Sequence, residues 1–195
     1  MPRQTRVSHV DLYRIWKAGE DLDVGWLLNK LTTDEPSPKM LAGTAFHQAL
    51  ELSDGTDAYT LHALGYTFHI LCDIDLALPP VREVQLSRQY GDLIVNGRLD
   101  GLSGNTVIDY KTTEQFDADR YMESLQWRFY LDLSGADRFN YQIFQMSECG
   151  ELTYEVYAYH ALTQYRYADL HKDCAKAAEE YYRFAEQFLP TLATV

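Results

Sequence analysis

Three residues in the middle of the chain have the types and the spacing for chemistry. They are Asp100, Asp109 and Lys111, with eight residues between the two acids. Leu99 and Val95 alternate with polar residues before the first acid, and 107–113 alternate again after a turn at 103–105. Gly104 and Asn105 tolerate the positive φ that such a turn requires. The pattern is that of a β-hairpin. Side chains on a strand alternate faces, so Val107, Asp109 and Lys111 share one face while Ile108 and Tyr110 share the other. Asp109 and Lys111 therefore stand side by side, roughly 7 Å apart along the strand. A register that sets Asp100 beside Asp109 brings two carboxylates and one ammonium together. Such a group can bind a hard cation and keep a charge-stabilising donor next to it.

The surrounding elements must hold this hairpin in place. Helices are expected over 8–16, with Ser8 as N-cap, and over about 22–31. A polar linker over 32–38 follows. Ser37 and Pro38 read as the N-cap and first turn of a helix to about Leu52 that carries His47. Glu51 lies one turn beyond His47, where it either orients the imidazole or is simply solvated. Residues 53–57 read as a loop, and 59–62 with 66–71 as a small hairpin through Leu64 and Gly65. The first core strand is expected over 81–88, with Glu83 and Gln85 on one face and Arg82, Val84, Leu86 and Arg88 on the other. After the central hairpin, Asp117 caps a helix to about Leu133. On it Gln126 and Tyr130, at i and i+4, share a face. Strands over 139–146 and 152–160 precede one long helix over 163–188, on which Leu170, Cys174, Ala178, Tyr181, Ala185 and Phe188 recur at helical spacing. The whole reads as mixed α/β.

In this order, several short stretches resemble the PD-(D/E)-x-K nuclease superfamily. Asp100 matches its first acid, and Asp109-Tyr110-Lys111 matches its (D/E)-x-K triplet in the Asp form. Gly43-Thr44-Ala45-Phe46-His47 resembles the G-x-x-x-H helix of RecB-type and phage recombination exonucleases. Gln126-Trp127-Arg128-Phe129-Tyr130 resembles their Q-x-x-x-Y motif. The matches span residues 43 to 130, about half the chain. The resemblance implies a restriction-endonuclease-like core, an αβββαβ unit with a mixed central sheet. Here it would carry extra N-terminal helices and a long C-terminal helix, within a single nuclease domain over 1–195. It further implies a metal-dependent DNA exonuclease of the phage recombination or repair type, related distantly to lambda exonuclease. Asp100, Asp109, His47 and the Tyr110 carbonyl would hold Mg²⁺ or Mn²⁺, with Glu83 a further candidate ligand. Lys111 would orient water or stabilise charge, and Gln126 and Tyr130 would position the DNA strand. Arg98 and Arg128 are the candidate phosphate contacts. A ring-shaped homo-oligomer and a single-strand annealing protein are the partners that the resemblance implies. The alternatives are a restriction-type endonuclease on the same fold and a catalytically silent acidic DNA mimic.

Composition bounds these expectations. The chain has 195 residues, 46% hydrophobic and 13% aromatic, enough for a substantial core. No apolar run is long enough to span a bilayer, and the basic N-terminal residues lack the apolar stretch of a secretory signal, so a cytoplasmic protein is expected. Cys72, Cys149 and Cys174 are scattered and form no metal-ligand pattern, so no iron–sulfur cluster is expected. With 17 basic and 29 acidic residues the chain carries a formal −12. DNA phosphates demand a basic surface, so a nuclease of this charge must segregate its cations to one cleft.

Overall fold

The computed structural model describes residues 2–19, 23–33, 35–53, 59–74 and 78–189. Its frame is an eight-stranded mixed sheet, in which β1 (Arg3–Arg6), β5 (Leu93–Ser103), β6 (Thr106–Thr113), β7 (Arg138–Gly150), β8 (Thr153–Tyr165), β3 (Tyr66–Ile70) and β2 (Thr60–Ala63) follow one another. The remaining strand, β4 (Val81–Tyr90), pairs with β5. Among the described residues there are six helices: α1 (Val7–Ala18), α2 (Val24–Thr32), α3 (Pro38–Leu52), α4 (Ala118–Glu123), α5 (Leu125–Ser134) and the long α6 (Leu170–Phe188). The fold is the mixed α/β architecture that the periodicity predicts.

Alternation along the central strands sorts the core onto two faces. Val95, Leu99 and Val107 pack with residues of α1, α2, α5 and α6 on one side. Ile108, Tyr110 and Phe144 pack with Ala42, Ala45 and Phe46 of α3 on the other. At Gly43, α3 comes so close to β6 that a Cβ would stand 2.9 Å from Thr112 Oγ1. The glycine of the G-x-x-x-H stretch thus lets the His47 helix settle against the strand that carries Asp109.

One irregularity of the sheet makes the site. β4 pairs with one edge of β5 from Tyr90↔Leu93 to Val81↔Leu102. The other edge is shared: β1 runs parallel to it over Arg3↔Leu93 to Arg6↔Asn96, and β6 meets it only at Gly101↔Ile108, Leu102↔Val107 and Ser103↔Thr106. Residues 97–100 have no strand partner on that edge among the described residues. There β5 and β6 diverge into a fork.

Several elements differ from the sequence reading. β1 was not foreseen, because four residues with a single buried side chain, Thr5, carry little periodicity. It runs straight into α1, so the helix starts at Val7 with Arg6 as N-cap. Ser8 does not cap it. α2 begins at Val24, capped by Asp23; Leu22 lies outside the described residues, as does most of the loop expected over 53–57. The helix expected from Asp117 to Leu133 is two helices, broken at Ser124, whose ψ of 140° leaves the helical region while its hydroxyl caps α5. Residues 163–165 belong to β8, where Arg138↔Tyr165 closes the hairpin, and not to the last helix, which begins at Leu170. β4 continues two residues past Arg88, to Tyr90. Ser37 does cap α3, accepting from the Met40 amide, with Pro38 in its first turn.

Candidate active site

Asp100 and Asp109 stand one rung beyond the last β5–β6 pair, on the two arms of the fork. Asp100 Oδ2 accepts from the Tyr110 amide at 2.7 Å, which bridges the arms where ladder bonds have stopped. Its carboxylate is also 3.6 Å from His47 Nδ1, presented by α3. Asp109 is 1% exposed. Its Oδ1 accepts from Gln126 Nε2 at 3.2 Å, and its Oδ2 lies 2.5 Å from Lys111 Nζ. That Oδ2 is buried and has no hydrogen bond of good geometry, so the ion pair with Lys111 is its main support.

Burial sets the electrostatics. Removing Asp109 from water disfavours its charged form and pushes the carboxyl up to about 7, against the opposing pull of Lys111. Burial works against the Lys111 ammonium too, but Asp109 and Asp100 more than offset it and hold the lysine charged. Burial lowers the His47 imidazole below its ordinary value, with Asp100 offsetting only part of the effect. The ring is therefore neutral near pH 7, the form in which imidazole nitrogen is a ligand.

Glu83 lies between the rungs Arg82↔Gly101 and Val84↔Leu99, opposite Asp100, with φ of +54°. It pairs with Arg98 at 2.8 Å. Burial and a hydrogen bond with Glu51 push its carboxyl up to about 7. Glu51, which the sequence leaves either to orient His47 or to be solvated, thus acts on the Glu83 carboxyl.

His47, Arg98, Asp100, Asp109, Lys111, Gln126 and Tyr130 line one cleft of about 1120 Å³; Glu51, Glu83 and Tyr110 are not part of its lining. Tyr130 is held protonated by burial, its hydroxyl pushed up to about 12. Arg128 is not part of this lining. It donates to the Glu123 carbonyl at 3.2 Å and stands over the Trp127 ring. Arg82 and Arg88, which also lie near the motifs, are engaged elsewhere, with the Glu51 carbonyl and with Asp132. The sequence reading missed another part of the lining, which includes Arg3, Gln4, Arg6, Ser8 and His9 of the β1–α1 junction. The basic N-terminal residues were the one available sign of it.

The chemistry of this donor set, two carboxylates and a neutral imidazole, suits a divalent cation, and Asp109 Oδ2 has only the Lys111 ammonium beside it. Among the described residues, no three His, Cys, Asp or Glu side chains already stand close enough together to hold an ion. Asp100 is paired instead with His47, and Asp109 with the Lys111 ammonium, which is no ligand.

The architecture is one that known exonuclease structures share. The phage-related exonuclease from Haemophilus somnus 129PT matches with a TM-score of 0.52 at 14% identity, over 99% of this chain and 98% of that one. LHK-Exo, solved in complex with dAMP, matches at 0.55 and 13% identity over 96% and 90%. SSO0001 matches at 0.54 and 14% over 94% and 77%. At such identities the likeness is one of fold. No family model and no curated protein sequence matches the chain.

Proposed function

We propose that the protein is a divalent-metal-dependent deoxyribonuclease of the PD-(D/E)-x-K type, an exonuclease acting on linear DNA. The observation that carries this reading is the convergence of His47, Asp100, Asp109, Lys111, Gln126 and Tyr130 on one cleft, although they come from four separate elements. Fold likeness to two exonucleases supports it. His47, Asp100, Asp109 and the Tyr110 carbonyl would hold Mg²⁺ or Mn²⁺, with Glu83 as a further acid nearby. When bound, the cation supplies a more acidic water and charge neutralisation at the phosphate.

The chain's own groups do the rest. Lys111, kept charged by two carboxylates, places a positive charge where the pentacovalent phosphate develops its negative one. Gln126 fixes the Asp109 carboxylate through Oδ1. Tyr130, protonated and one turn beyond Gln126 on α5, lines the same cleft and would position the DNA strand. Arg98, beside Asp100 at the cleft and steadied by Glu83, meets the phosphate backbone. Several copies arranged in a ring would surround one duplex with such clefts, and a single-strand annealing protein would receive the strand left behind.

Incubation of linear and closed circular DNA with Mg²⁺, Mn²⁺ or EDTA tests the reading. Progressive loss of linear DNA from its ends, abolished by EDTA, is expected. Discrete fragments from the circle would place the protein with restriction-type endonucleases, and no cleavage of either would favour an acidic DNA mimic.

A further inference from the structure

Gln126 and Tyr130 reach the fork only because α5 sits at one place along the sheet. Two residues outside the reacting set hold it there. At its N-terminus, Asp11 of α1 accepts from the Leu125 amide at 2.8 Å and from Ser124 Oγ at 2.8 Å. Ser124 Oγ in turn accepts from the Gln126 amide at 3.0 Å. The first amides of a helix lack partners within it, and a carboxylate there is favoured by hydrogen bonding and by the helix dipole. Arg14 Nε, 2.9 Å from Asp11, orients the carboxylate. Further along, the Tyr130 ring lies on Gly97 of β5. A Cβ at 97 would stand 2.9 Å from Tyr130 Cε1 and 3.0 Å from Leu133 Cδ1. Tyr130 and Leu133 are both buried, so neither can give way without lifting α5 from β5. Gln126 and Tyr130, one turn apart on α5, line the same cleft, and Gln126 Nε2 donates to Asp109. Both supports therefore fix the stretch of α5 that carries this side-chain amide.

We propose that Asp11 and Gly97 are positioning residues, which set the Gln126 amide against Asp109 from two points on one helix. The kinetic consequence rests on the nuclease reading, whereas the geometric one does not. Two readouts keep them apart. The first is the ¹⁵N–¹H spectrum of the Gln126 side-chain amide, assigned by its loss in Gln126→Ala. Its two protons are expected to be inequivalent and slow to exchange in the wild type, and to move to solvent-like values in Asp11→Ala and Gly97→Ala. Asp11→Asn, which keeps an acceptor oxygen, is expected to restore them. The second readout is cleavage with Mn²⁺. Each alanine variant is expected to lower kcat about tenfold with KM within about twofold, and to add less than about twofold in a Gln126→Ala background. Equal losses in both backgrounds would mean general damage to the fold and would overturn the proposal. So would an unchanged Gln126 resonance in both alanine variants, whether or not the protein cuts DNA. If the resonances behave as expected and the wild type cuts nothing, the nuclease reading falls while the positioning geometry stands.

Discussion

Lys111 is the residue whose role separates chemistry from architecture. Its ammonium pairs with a carboxylate that is buried and otherwise short of donors. Lys111→Ala should fold and still bind Mn²⁺, yet lose cleavage by about 10²-fold or more, the range for removal of a charge-stabilising donor. Single-turnover rates beside a Mn²⁺ titration check this, and a wild-type rate would refute it. The acid–acid–lysine set was legible in the sequence because strand alternation alone puts Asp109 and Lys111 on one face. His47 was legible only through the glycine one turn before it, whose physical reason is the 2.9 Å approach to Thr112. The nearness of Glu51 to Glu83 was not legible, since it sets a helix against a strand through a backbone twist, φ +54° at Glu83, that no local pattern announces.

At the scale of elements, α5 is the piece on which the site depends. Buried Asp132 ties it to its neighbours, accepting from Tyr90 OH at 2.6 Å and His171 Nδ1 at 2.9 Å, with Arg88 Nη1 at 3.0 Å. Burial opposes the ionised carboxylate, but these donors outweigh it and hold Asp132 below the usual carboxylate range. A carboxyl whose folded pKa is depressed stabilises the fold above its unfolded value, near 4, and that stability is lost as pH falls through the folded value. Asp132→Asn should therefore cost about 1–3 kcal/mol at pH 7. The gap from wild type should close as the pH drops toward 2. Urea melts across that range measure it, and a gap constant with pH would count against the depressed carboxyl. The break at Ser124 escaped the sequence because apolar spacing continues through it. What divides the helix is a cap completed by Asp11, far away in the chain. The end of β8 escaped for the converse reason: alternation and helical spacing overlap near 163–165, and pairing with Arg138 decides between them.

For the molecule as a whole, the difficulty is a net charge of −12 in a protein read as DNA-binding. The arrangement answers it in part, because Arg6, Arg98 and Lys111 line the same cleft, where Arg98 and Lys111 are paired with Glu83 and Asp109. Arg98→Ala should weaken duplex binding and reduce the slope of log K against log salt by about 1, as for one lost phosphate contact. Arg128→Ala, whose guanidinium faces Trp127 and lies outside the cleft lining, should bind as the wild type does; fluorescence anisotropy at several salt concentrations compares them. Light scattering should give a multiple of 22.5 kDa if clefts encircle one duplex, and the monomer mass if each works alone. The most direct measurement is single-turnover cleavage of end-labelled linear duplex in Mn²⁺ by wild type and by Asp109→Ala. Cleavage by the wild type and a loss of about 10²-fold or more in the variant is the expected result, since the buried carboxylate joins the metal donors to Lys111. Equal rates for the two proteins would contradict it.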